Sequence, residues 1–199
     1  MNRILRSLAV AVVALPAFAF AADTWNIDAA HTQTGFSVKH FMISNVRGDF
    51  DKTAGKVVID EADITRSTVE ATIDVTTVST RDAKRDGHLK SPDFFDVAKF
   101  PTLTFKSTKV EKAGEGLKVT GDLTMHGVTK AVVLDVTGPS AAITDPYGMT
   151  RRALSATGKI NRKDFGVSYG PDSVVSDLVT ITIEAELVKE APAAAPAKK

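Results

Sequence analysis

The chain has 199 residues, 43% of them hydrophobic and 25% charged, a size and mix that allow one globular domain with short accessories. Its formal net charge of +1 excludes a strongly basic protein that grips nucleic acid through phosphates. Cysteine is absent, which excludes disulfides, thiolate metal sites, iron–sulfur clusters, a Cys nucleophile and a lipidated N-terminal Cys.

In chain order, residues 1–21 read as a cleaved secretory leader. Arg3 and Arg6 precede the apolar run 8–20, which closes on Ala19-Phe20-Ala21. That run is short for a membrane span, and no later segment is long and apolar enough to make one. Removing the leader takes away two Arg and no acid, leaving a nearly neutral exported chain with a net charge of −1. A periplasm fits, and so does the outside medium.

Residues 22–189 read as the domain, and most of it alternates. Phe36, Val38 and His40 share one strand face, with Ser37 and Lys39 opposite. Shorter strands are expected at 46–50 and 55–60. Across 67–78, Val69, Ala71, Ile73 and Val75 oppose Thr68, Glu70, Thr72 and Asp74, the period of two of a half-buried strand. Residues 80–95 break the pattern. They are charged, lack β-branched residues after Thr80, and suit a short helix near 82–90 that ends at Ser91-Pro92. Leu103 and Phe105 resume the alternation. Gly116–Met125 and 128–136 flank His126-Gly127, which predicts a tight hairpin with a two-residue turn. Leu154, Ala156, Gly158 and Ile160 form another row, and so do Val179, Ile181, Ile183, Ala185 and Leu187. Residues 190–199, ending APAAAPAKK, read as a disordered tail.

Eight or nine strands with polar outer faces must manage their edges. Closure into an antiparallel barrel removes them and leaves room for side chains or one small ligand. A sandwich is the competing solution, and periodicity does not choose between the two.

No catalytic or cofactor motif emerges. His31, His40, His88 and His126 show no metal-ligand spacing, so neither metal nor cofactor is expected. Asp82, Asp86, Asp93 and Asp96 are interleaved with Arg81, Lys84, Arg85 and Lys90, the pattern of a salt-bridged surface. Phe94-Phe95, with Phe100-Pro101 behind them, would plug one end of a core or gate a pocket mouth.

Several phrases, taken in order, resemble the YceI-like family of exported lipid-binding proteins. They are Trp25-Asn26-Ile27-Asp28 with His31, Phe36 to His40, Gly48-Asp49-Phe50, Arg85 to Ser91, Asp93 to Asp96, Phe100-Pro101, Gly121 to Lys130, and Asn161 to Gly166. The resemblance covers the chain from Trp25 to about Leu187. It implies an eight-stranded antiparallel, lipocalin-like barrel. That barrel would hold a long apolar amphiphile such as a polyisoprenoid, a quinone precursor or a fatty amide, for transport or storage. The resemblance also implies a periplasmic location, a possible homodimer and no catalytic residues. Strand parity then points Phe36, Val38, Ile73, Phe105, Leu123, Leu134, Ile160 and Ile183 inward, with Phe94 at the mouth. His40, Arg85 and His88 are the expected polar end. A module that sequesters diverse amphiphiles such as antibiotics is the alternative. A lipid-modifying enzyme using His40 is a third reading, for which no partner of that histidine can be named.

Overall fold

The computed structural model describes residues 22–191. The expected leader, and all but two residues of the expected tail, lie outside them. Twelve strands and one helix follow in order: β1 Asp23–Ile27, β2 Gln33–His40, β3 Ser44–Phe50, β4 Thr53–Ile59, β5 Thr68–Asp74, β6 Val78–Ser79, α1 Ala83–Lys90, β7 Thr102–Ala113, β8 Gly116–Met125, β9 Val128–Thr137, β10 Ile143–Thr144, β11 Thr150–Asn161 and β12 Val175–Lys189.

These segments make eight barrel courses. β1 and β2 are one bent course, as are β3 with β4 and β5 with β6. The pairings β1–β4 and β2–β3 run side by side, and so do β4–β5 and β3–β6. Then β7, β8, β9, β11 and β12 follow as successive antiparallel neighbours. β12 closes the ring by pairing with β11 along one edge and with β1 and β2 along the other. Closure decides for the barrel over the sandwich, since every long strand now has two neighbours. The helix expected near 82–90 is α1.

The bends have local causes in short acidic side chains. Asp28 accepts the Ala30 amide at 3.1 Å and interrupts the first course. Asp74 accepts the amide and hydroxyl of Thr76, at 3.0 and 2.5 Å, and turns the run expected at 67–78 into β5, a 3-10 turn and β6. Such Asx turns offer the backbone an alternative to the ladder. β1, with the fully buried Trp25, and β10 were not expected from periodicity. The ladder's influence reaches past β12, because the Glu190 amide donates to the Thr24 carbonyl at 2.8 Å.

His126 and Gly127 both take positive φ, 51° and 75°, in the turn between β8 and β9. That is the twist a two-residue hairpin demands. The ring of Phe105 lies over Gly121 on the neighbouring strand, where a Cβ would come within 2.4 Å of it.

Strand direction sorts the connections. Turn 41–43, residues 80–101, the turn at 126–127 and residues 162–174 gather at one rim, called here the helix rim. Loops 60–67, 114–115 and 138–149 lie at the other.

Candidate functional site

The barrel encloses an apolar cavity of about 250 Å³. Ile27, Ile59, Ile64, Pro139 and Leu154 line it toward the far rim. Leu89, Phe94, Phe95 and Val175 line it toward the helix rim. Every barrel course contributes, because alternate residues of each strand point inward.

Of the residues singled out in the sequence, Phe36, Val38, Ile73, Phe94, Phe105, Leu123, Leu134, Ile160 and Ile183 all line this cavity. β7 reaches inward through Leu103 and Phe105, and again through Val110. A register irregularity between Ser107 and Lys109 shifts its parity between them.

The polar trio sits elsewhere. His40, Arg85 and His88 lie at the helix rim and do not line the cavity. His40 ends β2 and packs on Phe41, with ring centroids 4.1 Å apart. Arg85 donates to the Thr80 hydroxyl and carbonyl, at 2.7 and 2.8 Å. Asp86 accepts the Thr80 amide at 2.8 Å, so α1 is fastened to the end of β6. His88 meets Asp93 at 2.9 Å and stands edge-on to Phe94 and Tyr169, each 5.0 Å away. Asp96 holds Lys99 at 2.8 Å, and Asp82 caps α1 through the Arg85 amide. That amide also holds the Asp82 carboxyl below its usual range. The interleaved charges therefore fix the cap of the barrel, with Phe94 and Phe95 on the cavity lining beneath it.

Polar atoms on the lining are few. The Thr34 and Thr53 hydroxyls satisfy each other at 2.8 Å. The Thr32 hydroxyl is buried with no partner among the described residues. Arg162 is the one titratable group on the lining among those residues, and it was not picked out from the sequence as a site residue. It is 4% exposed. Its guanidinium donates to the carbonyls of Ser176, Val167, Tyr169, Gly170 and Val175 at 2.8–3.3 Å, and to Asp177 at 3.3 Å. It thereby binds residues 167–176 down over the barrel end. The sequence marked it as a cation directly after an alternating strand, inside the family-like phrase Asn161 to Gly166.

At the far rim Asp28, His31 and Glu186 come close enough together to hold a cation. The Arg151 guanidinium already occupies that position, 2.6 Å from Asp28 and 3.1 Å from Glu186, with Asp145 at 2.7 Å. Arg151, with His31, holds the Asp28 carboxyl down to about 2. A depressed carboxylate stabilises the fold above its ordinary pKa and loses that contribution as pH falls from about 4 to about 2. Arg151→Gln is therefore expected to cost about 1–2 kcal/mol at neutral pH. It should also flatten the acid limb of a Tm-against-pH curve. An unchanged acid limb would show that this ion pair does not act on stability.

No helix among the described residues is long and apolar enough to cross a membrane. The YceI-like domain model matches residues 25–187. Protein YceI of Escherichia coli O17:K52:H18 is 38% identical over 188 residues, covering 92% of this chain and 97% of that protein. Among solved structures, BcnA of Burkholderia cenocepacia superposes with a TM-score of 0.71 at 26% identity, over 80% of this chain and 98% of that one. A polyisoprenoid binding domain from Saccharophagus degradans shares the fold, with a TM-score of 0.61 at 18% identity, over 85% of this chain and 99% of that one. With the family model spanning nearly the whole barrel and relatives matched along most of their length, this chain belongs to the YceI-like family.

Proposed function

We propose that the protein is an exported, non-catalytic carrier that holds a long apolar amphiphile, a polyisoprenoid, quinone precursor or fatty amide, inside its barrel. The observation that carries this reading is the lining, which is mostly aliphatic and aromatic from rim to rim, with four hydroxyl side chains (Thr32, Thr34, Thr53 and Ser67) and Arg162 as its one titratable group among the described residues. Water gains little in such a space, whereas each CH₂ group moved into it from water is favoured by about 0.8 kcal/mol. An isoprene unit of five carbons is then worth roughly 4 kcal/mol before ordering costs. Arg162 is engaged with backbone carbonyls and Asp177, and among the described residues the lining includes no His or carboxylate to act as a general base. The fold shared with a protein described as a polyisoprenoid binding domain supports the same ligand class. His40, Arg85 and His88 stand at the helix rim, where a polar head group would emerge, and the leader read at residues 1–21 would place the carrier in the periplasm.

The test is organic extraction and native mass spectrometry of the protein recovered after export. Species spaced by isoprene units, or a single long-chain amide, would support the carrier. A heterogeneous set of amphiphiles would shift the reading to a scavenger. A barrel that is empty, and stays empty after incubation with prenols and quinones, would overturn it.

A further inference from the structure

The β2–β3 turn spends its stability unusually. Phe41, Met42 and Ile43 occupy it in sequence and are 54%, 48% and 84% exposed. Phe41 and Met42 are also held at positive φ, 47° and 59°, where side chains with a Cβ are disfavoured. The turn is anchored nonetheless, with the Phe41 amide donating to the Val174 carbonyl at 2.9 Å and the Ile43 amide to the His40 carbonyl at 3.1 Å. Three consecutive apolar side chains are therefore presented to water on a fixed support, and none of them lines the cavity. Scattered exposed apolar residues need no explanation, but a contiguous set does.

Charge says what would cover them. Lys39 and Arg47 lie on the outward face of the same hairpin, both exposed, and residues 36–48 include no acid. Across 39–47, 80–101 and 162–174 this rim holds nine Lys and Arg, one of them the buried Arg162, against six Asp. The far-rim loops 60–67, 114–115 and 138–149 hold five acids against Arg66, with Asp145 and Glu61 among them paired to Arg151 and Arg152 at the start of β11. An apolar tip flanked by cations, at the positive end of an electrically lopsided barrel, matches an anionic bilayer. The cations would meet lipid phosphates and the tip would enter the acyl boundary. The same rim carries the cavity's Phe94 and, packed on it at 5.3 Å, the half-exposed Tyr169. Docking here would place the capped, helix-rim end of the cavity against the membrane surface.

We infer that the Phe41-Met42-Ile43 turn, with Lys39 and Arg47, is a docking surface for anionic membranes, through which the barrel exchanges its amphiphile. The exchange role rests on the carrier reading; the docking does not. The test is co-sedimentation of the exported protein with vesicles of phosphatidylglycerol and phosphatidylethanolamine, against vesicles of phosphatidylcholine. Binding to the anionic vesicles is expected and should fall with salt. Ile43→Asp should weaken it at least tenfold, and Lys39→Glu with Arg47→Glu should reduce it to the phosphatidylcholine level. Both variants lie outside the cavity and should keep the wild-type fold and Tm, so that lost docking is not lost folding. The inference is overturned if the wild-type protein ignores anionic vesicles or if Ile43→Asp binds them unchanged. It is also overturned if Ile43→Asp instead converts a dimer to a monomer, which would make the turn a contact between copies. A barrel that proves empty, yet binds vesicles through Ile43, would remove the carrier reading and leave the docking surface standing.

Discussion

Ala156→Phe is expected to empty the barrel without unfolding it. Ala156 is 4% exposed and faces the cavity from β11, opposite Val136 of β9 and Ile183 of β12. In a filled core, adding a phenyl ring at such a point would cost about 1–3 kcal/mol through displaced neighbours. Here the ring can extend into free space, so stability measured without lipid should change by less than about 1 kcal/mol. The ligand bears the loss instead. Excluding only two CH₂ groups forfeits about 1.6 kcal/mol, just over a tenfold drop in affinity. Lipid content by extraction should fall at least tenfold, and the Tm increase given by added prenol should vanish with it. Leu123→Ala works in the opposite sense. It enlarges the cavity and should cost about 2–5 kcal/mol of stability while lipid is still retained. If Ala156→Phe keeps its full lipid load, the bound chain does not pass this point and the proposed course of the ligand is wrong.

The inward rows were legible because a half-buried strand has no freedom in which side it turns to the core. Val179 to Leu187 on β12, and Leu154 to Ile160 on β11, read directly as a period of two. The pattern weakened wherever a polar side chain redirected the backbone. Asp28 and Asp74 are ordinary outward residues by parity, yet each breaks a course by capping its own following amides. The irregularity after Ser107 changed which residues of β7 face inward, and nothing in the one-dimensional pattern marks it. His40 shares parity with Phe36 and Val38, but it is the last residue of β2. There the inner face has run past the cavity, and the ring turns onto Phe41. Arg85, expected at the polar end, stands at the helix rim but does not line the cavity, and two of its donors bind Thr80, five residues away. Barrel closure itself depends on β12 finding β1, β2 and β11 together, a long-range pairing that local propensity does not encode.

Arg162→Met should be among the most damaging single changes to the fold. The methionine can fill much of the volume and lie against the apolar lining, but it supplies none of the donors. Five carbonyls, from Ser176, Val167, Tyr169, Gly170 and Val175, would lose their partner together. A buried acceptor left unpaired costs about 1–3 kcal/mol, although those near the rim can recover water by opening. A net loss of about 3–5 kcal/mol is expected, the range seen when one member of a buried charged network is removed. The Asp177 carboxylate is not the main cause, because Lys163 remains 3.0 Å from it. Arg162→Lys separates charge from geometry. It keeps the cation, but its three donors on a point charge cannot span carbonyls on both sides of the loop. It should therefore recover less than half of the loss. Chemical denaturation gives the magnitude, and hydrogen exchange gives the place, with protection falling first at residues 167–176 and only later in the β8–β9 hairpin. Full rescue by Lys would mean that the buried charge, and not the fan of bonds to the backbone, holds this end of the barrel closed.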